Sequence, residues 1–155
     1  MVNPTKPRFI ADVMVGRLAR WLRILGFDVL YSNRYADDEI IAVARNEGRV
    51  VLTRDNGLFR RLQPGEGMFI DHDDYDSQVA QVLAGYPADR FELLSRCAEC
   101  NNPLDRVDRE EVFLRVPPYV YLTQQEFAEC SACRRVYWRG THADEIAKKL
   151  QGWTS

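Results

Sequence analysis

No apolar run in the sequence approaches the ~18 residues that a membrane-crossing helix needs, which argues against a membrane protein. Met1 to Arg8 contain no apolar stretch of the secretory-leader kind, so a cytoplasmic protein is expected. Low-complexity segments, internal repeats and sustained heptads are also missing, and collagen, coiled coils and repeat arrays are set aside with them. Neither sign of charge dominates: 21 Lys and Arg stand against 23 Asp and Glu. A strongly basic nucleic-acid footprint is therefore absent overall. Lysine is scarce, with only Lys6, Lys148 and Lys149 present, and the first 96 residues contain no cysteine. What remains is a chain of 155 residues, 46% hydrophobic, long enough for one domain with a small appendage and a core that needs no disulfide staples.

The charge is unevenly distributed. Residues 1–60 carry ten Lys and Arg against seven Asp and Glu, whereas residues 61–96 carry three against seven. The cysteines are just as segregated. They form two pairs, Cys97-Ala-Glu-Cys100 and Cys130-Ser-Ala-Cys133, separated by 29 residues. Each pair can aim two thiolates at one point, and four thiolates close a tetrahedral coordination sphere. A structural Zn²⁺ held by Cys97, Cys100, Cys130 and Cys133 is the expectation. Disulfides do not suit an intracellular chain, and redox pairs of this spacing follow a strand and open a helix, unlike these turn-like surroundings.

Before residue 90 the pattern alternates between strand and helix. Residues 8–12 read as a strand. Leu18, Trp21, Leu22 and Leu25 recur at helical spacing over Val13 to Leu25, and Gly26 ends that helix. Phe27 to Tyr31, Arg49 to Thr53 and Gly67 to Ile70 are the next strands, with helices at Asp37 to Asn46, near Asn56–Leu62 and over about Ser77–Ala84. That order predicts a mostly parallel sheet with helices on both faces. Beyond it, short ribbon strands are predicted near Val112–Val116 and Arg135–Trp138, and Thr141-x-x-Asp144 is a capping box for a last helix.

Ligands of open parallel sheets bind outside the carboxyl ends of the strands. Here Asp12 ends the first strand, Asp37 and Asp38 follow the second, Asp55 the third, and Asp71, Asp73 and Asp74 the fourth. Carboxylates gathered at one edge repel unless a cation lies among them, and Mg²⁺ or Mn²⁺ suits oxygen ligands. Such a site can activate water for phosphoryl displacement. A single Asp after a strand is more often a helix cap, but four strands delivering acids to one edge point to a site. Arg17, Arg20 and Arg23 recur at steps of three on the first helix, and Arg54 adjoins Asp55. Arginine binds phosphate bidentately. The plainer reading of these arginines is a solvated face whose stems cover the core edge.

Asp12 followed by Gly16-Arg17-Leu18-Ala19-Arg20-Trp21-Leu22-Arg23, then Asp37-Asp38-Glu39-Ile40, Leu52-Thr53-Arg54-Asp55 and Tyr137-Trp138-Arg139-Gly140-Thr141-His142, resemble the blocks of the Mut-seven C-terminal domain family. The resemblance spans about Arg8 to Ile146. It implies a PIN-like fold, an α/β architecture with a mostly parallel sheet flanked by helices, followed by a small zinc ribbon. It further implies Mg²⁺- or Mn²⁺-dependent RNA cleavage, with Asp12, Asp37 and Asp55 at the acidic positions. Arg134 stands where the family pattern has glycine after the last cysteine.

The expectation is a ribonuclease with a nuclease domain over 1–90 and a ribbon with a C-terminal helix over 91–155. Asp12, Asp37 and Asp55 are the catalytic candidates, joined by Asp38 as a metal ligand. Arg17, Arg20 and Arg54 would grip the RNA. Asp71, Asp73 and Asp74 compete for a fourth acidic place. The alternative is an inactive nuclease fold that binds RNA or protein as an adaptor. Phosphoryl chemistry on an aspartate, as in receiver domains, lacks its lysine.

Overall fold

Short runs of buried apolar residues set the strands of the first unit: β1 (Phe9–Ala11), β2 (Val29–Tyr31), β3 (Val50–Thr53) and β4 (Gly67–Phe69). The structure is a computed structural model and describes residues 6–88, 91–140 and 142–154. The four strands form one parallel sheet in the order β2-β1-β3-β4, with Ile10 opposite Leu30 on one side and Val51 on the other. Side chains alternate across a strand. Phe9 and Ala11 therefore face one core and Ile10 the other.

Helices cover both faces, as the alternating pattern requires. α1 (Gly16–Ile24) and α4 (Tyr75–Gly85) bury Leu18, Leu22, Val79 and Val82 against Phe9 and Leu52. On the opposite face α2 (Asp37–Glu47) and α3 (Asn56–Arg60) bury Ile40, Ala44 and Leu58 against Ile10 and Val51. α1 does not begin at Val13: a separate 3-10 turn over Val13–Val15 precedes it, capped by Asp12. Gly26, at φ 100, follows the α1 helix in a conformation that other residues avoid.

The second unit is an antiparallel sheet of β5 (Leu104–Val107), β6 (Phe127–Cys130) and β7 (Val136–Trp138), in that order. The strand expected near Val112–Val116 is not there. Arg109–Val112 is a 3-10 turn, and α5 (Pro118–Thr123) follows. Val112 and Val116 are both buried, with exposed Phe113, Leu114 and Arg115 between them. That four-residue period is the period of a turn, not the alternation of a strand. Both valines pack with Val120 and Phe127 in a small core of their own.

The closing helix α6 (His142–Thr154) returns to the first unit, where Trp153, Ile146 and Leu150 join the core of α1 and α4. The Thr141 cap and the His142 side chain lie outside the described residues. Among the described residues no helix is long and apolar enough to cross a membrane.

Candidate active site and metal centre

The chain leaves β1 for a neighbour on one side and later crosses to β3 on the other, so the order of connection reverses between β1 and β3 while all strands stay parallel. Ligand crevices of open sheets open at such switch points. Asp12 follows β1 there and is 4% exposed. Its Oδ1 accepts the Met14 N–H at 2.9 Å, and its Oδ2 accepts the Thr53 hydroxyl at the end of β3. The same Thr53 oxygen accepts the Asp55 N–H at 2.9 Å, so one buried hydroxyl links the ends of the two central strands. Burial pushes the Asp12 carboxyl above its ordinary range against the pull of the Thr53 and Met14 bonds, and the Asp55 charge adds to the push. Gly16 lets Tyr31 cover this corner, since a β-carbon on it would lie 2.8 Å from the tyrosine oxygen.

The remaining acids are more dispersed. Asp55 caps α3 by accepting the Leu58 N–H at 3.0 Å, and Asp74 caps α4 by accepting the Ser77 N–H at 2.8 Å. Asp37 and Asp38 are exposed in the first turn of α2, and Asp38 pairs with Arg61. Asp73 pairs with Arg54 at 2.6 Å, while the Asp71 carboxylate meets the Gln81 amide at 3.3 Å. Asp12 and Asp55 thus come together at the switch point. Among the described residues, however, no three carboxylates have oxygens all within 4.8 Å of one another.

The arginines divide by role. Arg17 lies over the Tyr75 ring, 4.3 Å from its centre. Arg20 pairs with Glu99 and keeps half its side chain exposed. Arg54 donates to the His72 carbonyl beside its pair with Asp73. Arg23 is buried and structural: it donates to the carbonyls of Val29 at 2.9 Å, Ala98 at 3.1 Å and Glu99 at 3.2 Å. Sequence reasoning passed over Thr53 and Gln78. Gln78 is buried in α4 and donates to the His72 carbonyl at 2.8 Å, holding the loop of acids after β4. The available signal was a polar residue at a position where its element faces the core.

The four cysteines do converge. Their sulfurs all lie within 4.8 Å of one another, and they can bind a metal such as zinc. The two knuckles repeat one backbone design. Asn101 donates to the Cys97 carbonyl at 2.9 Å as Arg134 does to that of Cys130 at 2.8 Å. Cys97 donates to Asn102 and Cys130 to Arg135 in the same way. The residue after each pair is left-handed, Asn101 at φ 68 and Arg134 at φ 66, a conformation that glycine adopts without steric cost. Burial alone would raise the Cys97 thiol, but the Tyr137 hydroxyl at 3.0 Å and the Cys100 amide bring it below its usual range. Its contact with Cys133, together with burial and the neighbouring thiolates, pushes Cys100 up to about 12. Four sulfurs this close cannot all ionise without a cation among them, which is the chemistry of a metal-binding donor set.

This centre is tied to the sheet. Asn101 accepts the Val29 N–H at 2.9 Å and donates to Asp28 at 2.7 Å. Asp28 in turn pairs with Arg49 at 2.7 Å.

Comparison with the curated proteins and with the solved structures finds no match in either. The sequence model of one family, the Mut7-C RNAse domain, matches residues 7–150, nearly the whole chain. The paired parallel sheet, the acidic edge and the cysteine ribbon belong to one continuous match, and the chain is a member of the Mut7-C RNAse domain family.

Proposed function

We propose that the protein is a divalent-metal-dependent ribonuclease that hydrolyses RNA phosphodiester bonds at the Asp12 edge of the sheet. One observation carries the reading: a carboxylate nine-tenths buried at the β1–β3 switch point, with Asp55 beside it through Thr53. Membership of an RNAse family supplies the reaction class. The donor set fits a hard cation, because each Asp12 oxygen accepts one hydrogen bond and keeps a lone pair for a metal. Asp12 and Asp55 would hold Mg²⁺ or Mn²⁺, a cation that keeps several of its waters, and Asp37, with Asp38 adjoining, would meet it through them. When bound, such a cation supplies acidified water and charge neutralisation at the phosphate. Thr53 fixes the orientation of Asp12. Arg17 and Arg54, and Arg20 further along α1, offer bidentate donors to the RNA backbone. Zn²⁺ is assigned to Cys97, Cys100, Cys130 and Cys133, where a closed sphere gives it a structural role. In this reading residues 1–90 do the chemistry and 91–155 brace it.

Cleavage of labelled RNA with Mn²⁺, with Mg²⁺ and after chelation tests the proposal, alongside Asp12→Ala and Asp55→Ala. Cutting that needs the metal and is lost in both variants is expected. Unchanged cutting by the two variants refutes the mechanism. A second reading, an adaptor that binds RNA without cleaving it, is favoured by the dispersal of the carboxylates and the pairing of Arg54 and Arg20. RNA binding that is salt-dependent and indifferent to Mn²⁺, without cleavage, would select it.

A further inference from the structure

Where α1, α6 and the ribbon meet, the surface opens into a groove of about 370 Å³, a size within the ~300–1,000 Å³ of small-ligand pockets. Two indoles line it, Trp21 from α1 and Trp138 from β7. Arg20, Arg96, Arg139 and Lys149 also line it, with Glu145 as the one carboxylate among the described lining residues. Three of these cations have neighbouring acids. Arg20 pairs with Glu99, Arg96 lies 3.9 Å from Asp28, and Lys149 lies 3.4 Å from Asp76. Arg139 is exposed and pairs with no described carboxylate. Leu94 enters the same lining at φ 60, a left-handed conformation that leucine rarely adopts.

Side chains in contact link the groove to the head of α1. Arg17, one turn beyond Asp12, lies over Tyr75; Tyr75 stacks on Trp21 at 5.6 Å with the rings 6° from parallel; Lys149 lies 5.6 Å from the centre of Trp21. Two stacked rings bracketed by cations therefore lead from the head of α1 to the groove, over about one turn (~6 Å) of that helix. Aromatic faces accept any base, and cations beside them follow the phosphates. A duplex keeps its bases paired and stacked and cannot offer them to such a floor.

We infer that this groove binds unstacked bases of single-stranded RNA against Trp21 and Trp138, with the flanking phosphates on Arg139 and Lys149, so that the same strand runs along α1 to Asp12. The inference rests on the ribonuclease reading for the identity of its ligand. It gives the ribbon and α6 a direct part in substrate binding, apart from bracing the fold.

The test uses the full metal-loaded chain and a fluorescein-labelled oligouridylate, without added divalent cation, followed by anisotropy over a range of salt. Arg139→Gln is expected to weaken binding roughly fivefold and to lower the salt slope by about one. Trp138→Leu removes a stacking face worth roughly 5- to 150-fold in affinity. Since Trp138 also packs on Phe127, the exposed Arg139 variant decides the case if that one misfolds. Ultraviolet irradiation of the wild-type complex should attach uridine to the peptides holding Trp21 or Tyr137 and Trp138. Wild-type affinity and salt slope in Arg139→Gln, crosslinks confined to residues 29–40 and 53–60, or no RNA binding at all overturns the inference. Metal-dependent cleavage is followed on the same probe. Groove-dependent binding without cleavage defeats the ribonuclease reading and leaves the groove standing; cleavage with no effect of Arg139→Gln does the reverse.

Discussion

Replacing Asp12 by asparagine should make the metal-free protein more stable while abolishing its activity. Asp12 is buried, lies near the Asp55 charge, and has its carboxyl raised above the ordinary 3.8 by that burial. A carboxyl raised in the folded state contributes stability that is complete below 3.8 and lost as pH rises through the raised value. Asparagine stays neutral throughout. Its carbonyl can still accept the Met14 N–H and its amide can donate to the Thr53 oxygen, so the one bond given up is the one that hydroxyl donated. Each kcal/mol of net relief would appear as ~2–4 °C in Tm for a chain of this size. Melting curves without divalent metal should show the variant ahead at neutral pH and the two proteins converging as pH falls toward 3.8. Mn²⁺ at about ten times its Kd should then raise the wild type alone by ~1.4 kcal/mol and cancel the advantage. A variant less stable than wild type at neutral pH without metal, or an equal response of both to Mn²⁺, refutes the assignment of Asp12 as a metal ligand held at a cost to stability.

Metal analysis of the purified protein should find one zinc per chain, and chelation should erase the near-ultraviolet signal of Tyr137 and Trp138 beside the cysteines; a fully folded, metal-free ribbon contradicts this. Arg23→Met removes three bonds to backbone carbonyls and should destabilise by about 2–3 kcal/mol in denaturant titration. A loss under ~0.5 kcal/mol would mean that those bonds only balance the desolvation of the guanidinium. Arg134→Gly frees a left-handed residue and should add about 0.5–1 kcal/mol, since Glu129 keeps Arg115 at 2.6 Å when its Arg134 pair is lost. Destabilisation by that change would show that the ion pair outweighs the backbone strain.

The strands of the first unit were legible because each is a short apolar run between turn residues, and their acids because each follows the end of its strand. Arg23 was not. Steps of three place Arg17, Arg20 and Arg23 in a row on paper, but a helix turns ~100° per residue, so each step drifts by ~60° and the third arginine stands ~120° from the first. That drift carries Arg23 off the exposed face and under the first knuckle, where it is 6% exposed. The ribbon misled for a related reason: Val112 and Val116 are apolar and β-branched, and propensity alone took them for a strand. Thr53 escaped notice because its value lies in what it touches across β1 and β3, and a single sequence does not display strand neighbours.

These details change how the second unit relates to the first. Asp12 stands immediately before the turn that leads into α1, and Arg23 lies in the last turn of the same helix, bonded to Ala98 and Glu99 between the two cysteines of the first knuckle. Asn101, directly after that knuckle, supplies the acceptor for the Val29 N–H of β2. A knuckle that loses its metal gives up the geometry that aims these carbonyls and this amide, and a buried guanidinium and a buried N–H lose their partners together. Each such loss costs about 1–3 kcal/mol, a large part of the ~5–15 kcal/mol that holds a domain folded. Metal binding at the cysteines should therefore stabilise α1 and β2 as well as the ribbon. Chelation should lower protection from hydrogen exchange in 16–31 together with 97–138. Loss of protection confined to the ribbon would show that the bonds across the two units carry no such coupling.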